Sequence, residues 1–187
     1  TSDTPTTTDR SVTVEANDGG SANANSATQT STVTVSAVND APVVDLNGAT
    51  AGQDVTVSFT EQTPVLIAPA GTLTDVDSAN LASLTVTLGS RPDGNAVESL
   101  SLNAAATTAA SGLTVTYTAS TGVLLISGSA TKATYQTILQ GILYNNTSDT
   151  PTTTDRSVTV VADDGGSANA NSATQTSTVT VSAVNDA

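Results

Sequence analysis

The chain nearly repeats itself. Residues 1–41 return as residues 147–187, at an offset of 146, and the copies differ only where Glu15 stands against Val161 and Asn17 against Asp163. A match this long at one spacing describes a tandem array of identical units. One complete unit of about 146 residues is therefore expected over 42–187. Residues 1–41 are expected to be the C-terminal tail of a preceding unit, its last strands and linker. On this reading the sequence is an excerpt that begins and ends inside something longer. The linker reads Ala37-Val38-Asn39-Asp40-Ala41-Pro42. Its proline lacks an amide donor and stiffens the crossing. The stretch Ala183 to Ala187 repeats the linker at the other end.

Thr, Ser, Ala and Val dominate the unit and often alternate, which suits a pleated surface. Alternation predicts strands over 55–59, 81–88, 100–102 and 113–117. Residues 64–68 read as an edge strand behind Pro64, 123–126 as a buried run, and 157–162 with 176–184 as a closing hairpin. Turn residues punctuate these runs at Asn47-Gly48, Pro92-Asp93-Gly94, Ser120-Thr121-Gly122 and Gly165-Gly166. One segment breaks the pattern. Tyr135, Ile138, Leu139 and Ile142 fall at helical spacing, which predicts a short helix over 131–141 capped by Ser129 or Thr131. The expected fold is all-β, a Greek-key β-sandwich with one short crossover helix. Phe59, Tyr117, Tyr135 and Tyr144 are the only aromatics, so Val, Leu, Ile and Ala must build most of the core. Both copies of the repeated segment suit the core of 42–146. The adjacent copy at 147–187 is expected to win, leaving 1–41 to fray or to pair with another chain.

Charge narrows the function. The net charge is −13, with 17 acidic residues against 4 basic ones. Such a surface repels nucleic acid and anionic membranes and attracts cations. Without cysteine there are no disulfides and no thiolate zinc site, and without histidine there is no imidazole base. No apolar run approaches the roughly 20 residues that span a bilayer, and no signal peptide is evident. An acid–base catalyst would need paired carboxylates in a cleft. The tight pairs, Asp75 with Asp77 and Asp163 with Asp164, lie in turns that suit a cation better. The chain is not expected to be an enzyme.

The acids gather at strand ends: Glu61 after Phe59-Thr60, Asp75-Val76-Asp77, Asp155-Arg156, Asp163-Asp164-Gly165-Gly166, and the linker pairs Asn39-Asp40 and Asn185-Asp186. Calcium takes roughly six to eight oxygens from carboxylates, amides and carbonyls in loops. An Asp-x-Asp turn wraps such an ion with alternate side chains. Asp3 and Asp149 read as solvated turn residues; for Asp54 and Asp93 that reading and a ligand role weigh about equally.

The order Phe59-Thr60-Glu61, Asp75-x-Asp77, Asp155-Arg156, Ala162-Asp163-Asp164-Gly165 and Val184-Asn185-Asp186-Ala187 resembles the cadherin repeat. It resembles more closely the cadherin-like and bacterial Ig-like extender repeats of large RTX-type adhesins. The likeness extends over Asn39 to Gly48, Gly71 to Ser78 and Tyr144 to Asp149. It implies calcium at the seams between repeats. The upstream seam would use Asn39, Asp40, Asp75, Asp77 and Asp163 or Asp164, with Asp9 from the preceding tail. The downstream seam would use Glu61, Asp155, Asn185 and Asp186. The chain departs from the cadherin pattern at Ala37 and Ala183, where that linker usually opens with Asp, and at Ser157, where an acid is usual. Fewer carboxylates imply fewer ions. The unit is also longer than a cadherin repeat, with its surplus between Gly89 and Asn145.

The resemblance implies a secreted, extracellular spacer on a bacterial cell surface. Its partners are neighbouring identical repeats, and it projects a distal adhesive tip for attachment and biofilm formation. The alternative is that the repeat itself binds a glycan, ice or another cell. Near-identical consecutive copies favour the spacer, which gains from repetition where a specific tip does not.

Overall fold

A computed structural model describes residues 2–185 and divides the chain into two compact units, Thr1–Val38 and Asn39–Ala187. The first unit is a hairpin of β1 (Arg10–Val14) and β2 (Gln29–Val33), paired antiparallel from Arg10 opposite Val33 to Val14 opposite Gln29. Every residue of both strands is exposed.

The second unit is mostly β. Its strands are β3 (Val43–Asp45), β4 (Val55–Thr60), β5 (Val65–Leu66), β6 (Thr72–Thr74), β7 (Asn80–Leu88), β8 (Glu98–Leu102), β9 (Thr114–Thr118), β10 (Val123–Thr131), β11 (Ile142–Asn146), β12 (Arg156–Asp163) and β13 (Gln175–Ser182). A six-stranded sheet runs β4-β13-β12-β7-β10-β9, a three-stranded sheet runs β5-β11-β8, and β3 pairs with β6. The closing hairpin expected over 157–184 is present as β12 and β13, antiparallel and inserted between β7 and β4. β13 runs parallel to β4.

Period-two patterning explains why these segments are strands. Along β12, Arg156, Val158, Val160 and Ala162 are buried while Ser157 is exposed, and β13 alternates in the same way. The inward residues of both larger sheets form one core with Phe59, Leu84, Val86, Ile126 and Tyr144, all 0% exposed. Phe59 on β4 meets Tyr144 on β11 edge to face, with ring centroids 5.1 Å apart and planes at 82°. Phe59, Tyr135 and Tyr144 are fully buried, and Tyr117 is half-buried. Burial of one such side chain contributes about 1.5–3 kcal/mol.

The helix expected over 131–141 is α2 (Lys132–Gln140), with Thr131 as its cap: the Thr131 hydroxyl accepts the Thr134 amide. It buries Tyr135, Ile138 and Leu139. Ile142 lies beyond it and opens β11. Tyr135 donates its hydroxyl hydrogen to the Gly128 carbonyl at 2.7 Å, where β10 shifts register between Ser127 and Ala130. Glycine suits that bulge, with φ at 128°.

Three expectations are corrected or refined. A second helix, α1 (Ala104–Ala109), joins α2; the Asn103 side chain caps it by accepting the Ala106 amide. Its single buried residue, Ala106, leaves no apolar stripe to read. The edge strand expected over 64–68 is present at the edge of the three-stranded sheet but is shorter, Val65–Leu66, with Ile67 adding one further amide bond to the Ile142 carbonyl and burying its side chain. Asp93, left open between a solvated turn residue and a cation ligand, is taken up by an ion pair instead. Its carboxylate pairs with Arg156 at 2.6 Å, and its side chain is 10% exposed.

That pair belongs to a buried network. Arg156 Nε donates to Glu98 Oε2 at 2.9 Å, and both side chains are fully buried. The Tyr144 hydroxyl donates to the same oxygen at 2.8 Å. Asn146 and the Thr152 amide donate to Asp93 at 2.7 and 3.0 Å. Burial alone would raise the Asp93 carboxyl. The Thr152 and Asn146 hydrogen bonds and the Arg156 charge outweigh burial and hold it below the ordinary carboxylate range.

Removing one partner strands a buried charge. Arg156→Ala is therefore expected to lower unfolding stability by about 3–5 kcal/mol, measured by denaturant titration. A depressed carboxylate adds stability above its unfolded value of 3.8 that is lost as pH falls through its lower folded value. Asp93→Asn should lower stability at neutral pH and flatten the loss below pH about 4, as read from melting curves across that range.

Candidate metal centre

One end of the Asn39–Ala187 unit gathers acids because four segments finish there. β6 ends at Thr74 and β12 at Asp163, β7 starts at Asn80, and residues 39–42 lead into β3, which pairs Val43 with Thr74. Local turn chemistry then orients each carboxylate. Asp75 Oδ1 accepts the amides of Asp77 at 3.1 Å and Ser78 at 2.8 Å, which closes the Asp-x-Asp turn. Asp163 Oδ1 accepts the Gly165 amide at 2.6 Å, and Asp164 Oδ1 accepts the Gly166 amide at 2.7 Å.

The result is a cluster of Asp75, Asp77 and Asp164, with one carboxylate oxygen of each within 4.8 Å of the others. Two oxygens bound to one calcium at about 2.4 Å lie at most about 4.8 Å apart, so this spacing fits a shared ion. The donor set is all oxygen, as a hard cation requires. Asp75 is 9% exposed, and its Oδ2 is buried with no hydrogen-bond partner. Burial raises the Asp75 carboxyl above its ordinary value. The Ser78 and Asp77 amides pull it down, and the neighbouring Asp77 carboxylate pushes it further up. Among the described residues no lysine or arginine forms an ion pair with the cluster. The chain's single lysine, Lys132, instead donates to the Asp75 backbone carbonyl.

The linker residues serve as clamps. Asn39 Nδ2 donates to Asp164 Oδ2 at 2.8 Å and to the Ala168 carbonyl at 3.1 Å, while Asn169 Nδ2 donates to the Asn39 carbonyl at 3.1 Å. The Asp40 amide donates to Asp77 Oδ2 at 3.1 Å. Asn39 thus holds Asp164 through its amide nitrogen. Glycine is needed beside it, since a Cβ on Gly166 would sit 2.6 Å from Asn39 Cγ. Asp163 is half-buried beside the cluster and contributes no oxygen to it. Asp9 lies in the other unit and is exposed.

The acids expected at the opposite end are arranged differently. Glu61 follows β4 and is 4% exposed. Its Oε2 accepts the Val184 amide at 2.8 Å, and its Oε1 is buried without a partner. Asp155 and Asn185 are exposed. Asp186 lies outside the described residues. Among the described residues, Asp75, Asp77 and Asp164 are the one group of three or more acids spaced for an ion.

Lys132 and the Glu98–Arg156–Asp93 network were not singled out from the sequence. The lysine's rarity and its place at a helix start were the available signal. Glu98 gave none, because its partner is 58 residues away. No protein-family model matches the chain, and no curated protein matches it.

Asp75→Asn keeps an oxygen for the Asp77 and Ser78 amides and removes the buried charge. In calcium the substitution should lower the melting temperature; in chelator it should raise it, by relieving repulsion with Asp77. A change of the same sign in both buffers would show that Asp75 holds no ion.

Proposed function

We propose that the Asn39–Ala187 unit is a calcium-stabilised structural repeat, a Greek-key, Ig-like or cadherin-like sandwich that serves as a spacer in a tandem-repeat bacterial surface adhesin. The observation that carries the reading is the buried, unpartnered Asp75 Oδ2 within a cluster of three carboxylates. Asp75, Asp77 and Asp164 would hold the ion, which supplies the positive charge the cluster lacks. Asn39 and Asp40 precede the first strand of the unit and already hydrogen-bond to the cluster. An ion bound there would stiffen the point at which one repeat leads into the next. The near-identical segments at 1–41 and 147–187 support a tandem array. Among the described residues no helix is long and apolar enough to cross a membrane; extracellular placement rests on the resemblance and on the availability of calcium outside cells.

Extracellular calcium modules bind with Kd near 10⁻⁴–10⁻³ M, roughly. Calcium at about 100 times Kd adds about 2.7 kcal/mol per site, which for a unit of this size raises Tm by about 5–10 °C. Calorimetry with calcium and with chelator checks this. Small-angle scattering on a protein of several consecutive repeats tests the spacer role. Its maximum dimension should shorten and its flexibility grow on chelation, and identical profiles would defeat the proposal.

A further inference from the structure

The six-stranded sheet ends on β9, whose outer edge pairs with no strand among the described residues. The sheet's other edge, β4, is entered through exposed Asp54 and turns back from Thr60 to Thr63. In the three-stranded sheet, the edge strand β5 follows Pro64 and is 2 residues long. Charge, proline and brevity are the usual guards of a sheet edge. β9, which reads Thr114-Val115-Thr116-Tyr117-Thr118, has neither charge nor proline, and its residues are of the types most inclined to pair in a sheet. Tyr117 is half-buried and the other four are exposed.

The seam beside this strand is open. Val115 and Tyr117 stand opposite Ile126 and Leu124 of β10, on the sheet face that turns to the core. With Leu124, they meet Leu100 and Leu102 of β8 and Ala110 after α1 around a groove of about 420 Å³. The Tyr117 hydroxyl donates to the Glu98 carbonyl at 3.3 Å and ties β9 to the start of β8. Charge decides what can approach here. The chain carries a net −13, so two copies repel one another across most of their surface. Residues 99–148, which supply β9 and the walls of the groove, contain one charged side chain, Lys132, and no acid. Lys132 is engaged with the Asp75 carbonyl. In the turn after β9, Arg91 donates to the Ser120 carbonyl at 3.2 Å. The walls of the groove therefore bring no acid against a second acidic chain.

β9 also matches itself. Laid antiparallel against a second β9 in full register, Thr116 faces its own mate and Val115 faces Tyr117 on either side. Thr–Thr and aromatic–β-branched pairs are among the favourable cross-strand neighbours. Two identical strands so joined make a twofold contact, the self-complementary form a symmetric dimer takes. We propose that β9 is the contact strand between two copies of this chain: they join edge to edge, the six-stranded sheet continues from one copy into the other, and the two grooves close against each other. The pairing covers Val115 and Tyr117, which the single chain leaves exposed or half-buried. It uses the side of the Asn39–Ala187 unit and stands independently of any cation at Asp75.

The test begins by placing one cysteine in a full chain that has none. Thr116→Cys sets two thiols opposite each other in the pair, at a spacing a disulfide can bridge. Thr56→Cys, exposed on β4, is the control. Under mild oxidation Thr116→Cys is expected to link into dimers about tenfold faster than Thr56→Cys, because pairing raises the effective thiol concentration. Sedimentation equilibrium of the unaltered chain should show a dimer fraction that grows with concentration. Thr116→Glu and Thr116→Lys should each weaken that dimer by about tenfold, since like charges then face each other. An equal mixture of the two variants should restore it. Their melting temperatures should match that of the unaltered chain, because the Thr116 side chain is exposed. A chain that stays monomeric at every concentration, equal cross-linking at both positions, or a mixture no more dimeric than its components would overturn the proposal.

Discussion

The register of β12 is the constraint on which the rest of the Asn39–Ala187 unit depends. Its side chains point alternately inward and outward, so one register puts Arg156, Val158, Val160 and Ala162 into the core together. A slip of one residue would bury Ser157 and Thr159 and expose Arg156, because the period of a strand is two. It would also move Asp164 away from Asp75 and Asp77. The pairing of β12 with β7, from Val158 opposite Leu88 to Asp163 opposite Ser83, therefore sets the chemistry at both ends of the unit. The apolar core selects the register, and the polar groups follow.

The two ends solve the problem of buried charge in opposite ways. At one end Arg156 neutralises Glu98 and Asp93, and Tyr144, Asn146 and Thr152 supply the remaining hydrogen bonds. At the other end Asp75, Asp77 and Asp164 face one another with no basic side chain in an ion pair among the described residues. A chain with 17 acids and 4 basic residues has few cations to place. Two of those four, Arg10 and Arg156, are equivalent positions of the repeated segment, and Lys132 is engaged with a backbone carbonyl. Burial above all, and the neighbouring Asp77 carboxylate after it, raise the proton affinity of Asp75. A proton or a divalent ion relieves the same repulsion. A divalent ion would meet all three carboxylates at once, where a single proton meets one.

Much of this was legible in the sequence, for physical reasons. Strands β4, β7, β12 and β13 alternate because each has one face in the core, and that leaves a period in the residues. Thr131 followed by Tyr135, Ile138 and Leu139 marks a capped amphipathic helix. Asp75 and Asp77 announce a turn that binds its own amides. Strands β3 and β6, at three residues each, are too short to carry a period. The strand β11 was hidden because its first residue, Ile142, continues the spacing of Tyr135, Ile138 and Leu139 in the preceding helix. The Arg156–Glu98 pair lay beyond sequence reading because only the stacking of two sheets brings those strands together. Asp164 could be told from Asp163 only by the turn that follows them, which swings one carboxylate into the cluster and leaves the other beside it.

The repeated segment separates what is local in this fold from what is not. Forty-one residues with two differences form the same hairpin, the same Asx turns and the same serine contact in both units. Hairpin geometry is thus encoded within the segment, and burial is supplied by whatever framework accepts it. In an array of near-identical neighbours, any closing hairpin matches any framework, and mispairing between repeats is the characteristic hazard. Sequence identity makes the parts interchangeable, and covalent adjacency, which holds each closing hairpin at high effective concentration beside its own framework, sets which pair assembles.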